Sequence, residues 1–94
     1  MNEELIKIEA RLFVLEHILS ISLAREFVIA SGHGALDDLE AVRIHMTETI
    51  KTMGFPGRDA ATSDLLSAEI EDASNRLLNS ASFQISAILQ AQRR

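Results

Sequence analysis

The side chains from which chemistry is usually built are few in this 94-residue chain, and their spacing is informative: three histidines, fourteen acids and no cysteine. A helical di-metal centre needs Glu-x-x-His pairs projecting inward. The residues three places before His17, His33 and His45 are Val14, Ala30 and Val42, and the His45 and Glu48 pair runs in the reverse order on a polar face. Without cysteine there is no disulfide, thiolate metal site or thiol nucleophile, which also fits a reducing compartment. Ser31-Gly32-His33-Gly34 precedes a helix and resembles an anion cradle. It lacks the longer glycine pattern and lysine of a phosphate loop, and Asp37 and Asp38 already bring negative charge to that helix end, so it reads as a connector. No Ser or Thr stands in a recognisable relation to a His and an acid. No catalytic, cofactor-binding or metal-ligating residue is therefore assigned.

Two titratable residues stand on apolar ground. His17 interrupts an apolar line, with Phe13 and Ile21 four places to either side. A histidine in that setting is usually a neutral, hydrogen-bonded core group. The sharper expectation sets it beside its own mate across a two-fold axis, where protonation between pH 7 and 5.5 would loosen an assembly, since an unperturbed imidazole titrates near about 6.5. Glu26 lies on another apolar line near a helix C-terminus, where the dipole disfavours an acid, so either Arg58 or a basic residue of another chain compensates it or the seam ends before it.

The elements that would position these residues are helices. All four glycines and the one proline fall in Ser31-Gly32-His33-Gly34 and Gly54-Phe55-Pro56-Gly57, and the rest carries helical periodicity. The spacing predicts helices over about 3–31, 35–53 and 60–92, with Gly32 and Gly54 closing the first two in a left-handed conformation and Asp59 or Ser63 capping the third. No segment alternates as a strand does.

Helix 1 is apolar along two lines. Leu5, Ile8, Leu12, Leu15 and Leu19 form one, continued by Ser22, Glu26 and Ile29; Ile6, Ala10, Phe13, His17, Ser20, Ala24 and Phe27 form the other. At 100° per residue these lie more than a right angle apart. Helix 2 has a single narrow seam of Leu39, Val42, Met46, Ile50 and Met53; helix 3 has one through Leu66, Ile70, Ala73, Leu77, Ala81 and Ile88, widening at Leu78, Ile85 and Leu89. Helix 2 is too short to cover helix 1, and helix 3 can cover one line. The remainder, expected near the second line, would be an apolar patch larger than monomers usually expose. The alternative is that helices 2 and 3 straddle helix 1 and bury both lines.

The expectation is thus an all-α, antiparallel three-helix chain, a single domain over residues 1–94, forming a homodimeric six-helix bundle through helix 1. The expected interface comprises Ile6, Ala10, Phe13, His17, Ile21, Ala24, Val28 and, as a separate aromatic anchor on helix 3, Phe83. Net charge is -5, and most helix-borne bases sit three or four places from an acid, so no basic face is left for a nucleic acid. The most apolar stretch, 12–30, contains Glu16, His17, Arg25 and Glu26, which argues against a membrane span. Met1-Asn2-Glu3-Glu4 is acidic where a secretory signal is basic, so a cytoplasmic location is expected.

The outline of one long helix followed by two others, at about this length, is similar to that of the small intertwined all-helical chorismate mutases. The similarity is of outline alone: such an enzyme gathers cations around a dicarboxylate, whereas the bases here lie beside acids, and no residue is carried over. The function expected is a non-enzymatic dimerisation or protein-protein interaction module. The rival is a small dimeric enzyme or ligand binder with an interfacial pocket lined by His17, Arg11, Arg25 or Glu26, and a third reading is a regulator acting through its acidic surface.

Overall fold

A computed structural model describes residues 2–93 and contains three α-helices: α1 (Glu3–Ser31), α2 (Ala35–Thr52) and α3 (Ala60–Gln92). The ends follow local chemistry. Asn2 accepts from the Glu4 amide at 2.9 Å and caps α1, with Glu3 and Glu4 in the first turn, where acids complement the helix dipole. Asp59 caps α3 by accepting from the Thr62 amide at 2.7 Å. Gly32 closes α1 at φ 54°, its amide reaching the Val28 carbonyl, and a short 3-10 turn over Gly32–Gly34 leads into α2. Ser31 donates to Asp38 across that turn.

The second break differs from expectation. Helix α2 ends at Thr52, Met53 is extended at φ -67° and ψ 135°, and the positive-φ glycine is Gly57 at 83°, not Gly54. The Arg58 amide donates to the Phe55 carbonyl at 3.2 Å, closing a turn over Phe55-Pro56-Gly57-Arg58. Proline fixes the second position of such a turn and glycine takes the left-handed third, so the proline-glycine pair sets the conformation.

Successive helices run antiparallel, leaving α1 and α3 parallel. Arg43 on α2 donates to Asn75 and Asn79 on α3, each at 2.8 Å, and Leu36, near the start of α2, borders the same recess as Leu89 and Gln90 near the end of α3. Leu23 of α1 lines one groove with Val42 and Met46 of α2 and Leu77 of α3. Glu16 of α1 accepts from Arg76 of α3 at 2.7 Å.

The core sits at the end of the molecule where α1 finishes and α2 begins. Ala24, Val28, Ala35, Leu39, Leu78, Ala81, Ile85 and Leu89 are buried there, with Leu23, Phe27 and Ile88 packed against them. Small residues at the meeting of the helices, Ser20, Ala24 and Ala81, are fully buried. Ser20 satisfies its hydroxyl on the His17 carbonyl at 2.9 Å, which makes a polar residue tolerable in that position. Ala73, expected in the α3 seam, is exposed, and Val42 and Met53 of the α2 seam remain more than a third accessible.

The whole is flat and extended. Cα extents are 52 × 36 × 14 Å, and the radius of gyration is 16.2 Å against roughly 12 Å for a compact chain of this length. Accessible surface is 7091 Å², where a compact 10.4 kDa monomer shows about 5,400 Å².

Candidate interaction surface

Exposed large apolar side chains are densest on the first half of α1. Residues 3–15 are exposed without exception. Between Leu5 and Leu19, nine large apolar side chains are each 47–69% exposed. At 1.5 Å per residue the 29-residue α1 is about 43 Å long and the 18-residue α2 about 27 Å, so α2 ends while α1 continues. The result is an arm of apolar helix standing clear of the body.

The two lines of α1 fare differently. The second line is the one the chain covers: Ser20 and Ala24 are buried on it, beside Val28, and Phe27 is half-buried. The first line is open along Leu5, Ile8, Leu12, Leu15 and Leu19, each 50–56% exposed. The placement expected from sequence is corrected accordingly. Ala24 and Val28 belong to the chain's own core, Ile21 is half-buried, and only Ile6, Ala10, Phe13 and His17 of that set are exposed on α1. The physical reason is the close approach permitted by Ser20, Ala24 and Ala81, which turns the second line toward α3. On sequence Ser20 looks like a break in an apolar line, yet it marks the contact; small residues on both α1 and α3 were the available signal.

His17 is exposed rather than core, with its ring stacked on Phe13 at a centroid distance of 6.2 Å and an interplanar angle of 2°. Glu26 is exposed and makes no ion pair among the described residues, because its line faces solvent there; Arg58 does not reach it. Phe83 is 72% exposed on α3. A recess of about 330 Å³ is bordered by Glu9, Leu12, Phe13, Glu16 and Arg76, and its cation is already paired with Glu16. Arg11 instead edges a shallow apolar depression with Ala10, Val14 and Leu15. His17 lines a different recess, with Phe13, Glu16, Arg76, Leu77 and Ser80.

Electrostatically the body is conventional. Arg43 reaches Glu40 at 3.2 Å while its guanidinium also holds the two asparagines of α3. The backbone amide of Thr62, and secondarily its hydroxyl, hold the Asp59 carboxyl below the usual carboxylate range. Among the described residues no group of three or more His, Asp or Glu is gathered as a metal site would require, and no helix is long and apolar enough to cross a membrane. No protein-family model matches the chain, and neither a curated protein nor a solved structure is found similar to it.

Proposed function

We propose that this protein is a non-enzymatic interaction module whose first task is to pair with a second copy of itself through the arm of α1, giving a six-helix assembly. The observation that carries the proposal is the nine half-exposed apolar side chains on the arm, five of them in one open line. The surface in excess of a compact monomer is about 1,700 Å², roughly twice the 800 Å² that each partner gives up in a stable complex. A second copy is favoured as occupant because every chain carries the same need and a two-fold pairing satisfies both at once. The cysteine-free composition fits work in the cytoplasm.

Light scattering on the full chain tests the pairing: the expected mass is twice 10.4 kDa. Replacing Leu12→Glu and Leu15→Glu together sets two charges into the open line, at a cost of about 3 kcal/mol or more, and weakens association by about 100-fold. The variant should scatter as a single chain with its helical circular dichroism largely retained. A wild-type chain that stays single at high concentration overturns the reading.

A further inference from the structure

Resting on that pairing, we infer its direction and register: the two α1 arms lie antiparallel, with Leu12 of one opposite Leu15 of the other and Ile8 opposite the partner's Leu19. Leu5, Ile8, Leu12, Leu15 and Leu19 alternate in steps of three and four, which is the spacing of a coiled-coil seam. All five are half-exposed, on the face of α1 turned away from Ser20, Ala24 and Val28, so a partner helix can lie on them without displacing α3.

The charges beside the seam choose among arrangements. A parallel, in-register pair would place Glu26, which continues this line, directly against the partner's Glu26 and bring Glu4 beside the partner's Glu9. At the edge Arg11 beside the partner's Glu16 offsets the Glu4 and Glu9 approach, so the like charges at the core, Glu26 on Glu26, decide against this arrangement. An antiparallel pair with Ile8 opposite Leu12 leaves Leu19 unused and sets Arg11 against Arg11 and Glu9 against Glu9. Sliding seven residues the other way, to Leu15 opposite Leu19, sets Ile8 against the partner's Glu26 and again faces like charges, Arg11 on Arg25 and Glu16 on Glu16. The register with Leu12 opposite Leu15 uses every apolar seam residue, placing Leu5 across from the partner's Ser22. It also brings Glu4 to the partner's Arg25 twice over.

The groups around that charge pair are compatible with it. Among the described residues Glu4 pairs with the exposed Lys7 at 3.8 Å, and Arg25 makes no ion pair. The remaining like-charged approach, Glu9 to the partner's Glu16, is compensated because Arg76 already lies 2.7 Å from Glu16 and borders the recess that Glu9 lines. One turn beyond Leu19, Leu23 opens an apolar groove of about 190 Å³ with Val42, Met46 and Leu77, where the partner's first turn would end.

The absence of native cysteine makes the register directly readable. Full-length Ile8→Cys and Leu19→Cys are prepared singly, then incubated separately and mixed in a glutathione redox buffer. In the inferred register the mixture gives a disulfide-linked pair in at least about tenfold excess over either protein alone. Ile8 and its own mate are eleven positions apart along the pair, about 16 Å, while a disulfide needs Cα atoms within about 7 Å. As a second measurement without cysteine, Glu4→Arg weakens association by about five- to tenfold, and adding Arg25→Glu restores it. A dimer in which Ile8→Cys links to itself overturns the register, as does a dimer whose mixture gives no link or whose charge reversals do not rescue each other. A wild-type chain that scatters as a monomer removes the pairing itself, so the two failures are told apart.

Discussion

The two halves of α1 are built from the same kinds of residue and meet opposite fates. From Ser20 onward the helix is held by α2 and α3, with Ser20 and Ala24 wholly enclosed. Before it, residues as apolar as Leu12 and Leu15 remain half in water. Hydrophobicity does not separate the halves, since the exposed one is the richer in large aliphatic side chains. What separates them is reach and approach: α2 stops short, and small residues let helices close only at one end. The difference teaches that the body's stability belongs to the chain alone, whereas the arm's apolar surface contributes only when something else covers it.

The largest effect expected on that contrast is Ile85→Ala. Ile85 is fully buried in the cluster with Ala24 and Leu39, and its truncation should cost about 2–5 kcal/mol in thermal or urea unfolding. The loss should be the same in dilute and concentrated samples; a loss that fades with concentration would mean body and arm are not separable. A sharper comparison uses one substitution at two neighbouring sites. Ser20→Leu forces a large side chain into the closed contact and should destabilise by about 1–3 kcal/mol. Ser22→Leu, exposed on the open line, should leave the melt of the dilute protein within about 0.5 kcal/mol while tightening self-association by sedimentation. Equal effects from both would erase the distinction between the two lines.

The smallest effect concerns the start of α3. Thr62 holds the Asp59 carboxyl below its ordinary value, so its stabilising contribution is complete above the unfolded pKa of about 3.8 and is lost as pH falls through the lowered folded value. Asp59→Asn keeps a capping oxygen and removes the titration. The variant should show a shallower fall in stability below about pH 4, with association at neutral pH unchanged. An identical acid limb in the two proteins would show that the cap carries no linked proton.

Much of this architecture was legible because the punctuation is so concentrated. With every glycine and the proline in two short stretches, the helix bounds at Glu3, Ser31, Ala35, Ala60 and Gln92 follow from composition and caps. The second connector departs from composition at one position, since Gly54 adjoins the helix while the proline-glycine pair at 56–57 dictates the left-handed residue. The choice between the two lines of α1 was beyond periodicity. An amphipathic pattern marks faces, but which face a neighbour takes depends on close approach at Ser20, Ala24 and Ala81, a property of two helices together. The exposure of Glu26 and His17 follows from the same choice.

The arm's length has a consequence of its own. Residues 3–19 make fewer than five turns, little more than the span at which a lone helix in water is only marginally ordered. Its winding would then be partly borrowed from its mate, and dilution would unravel this stretch before the body melts. Abundance would thus set how much of each chain is folded, and a protease in a dilute sample would find its first cleavage sites here.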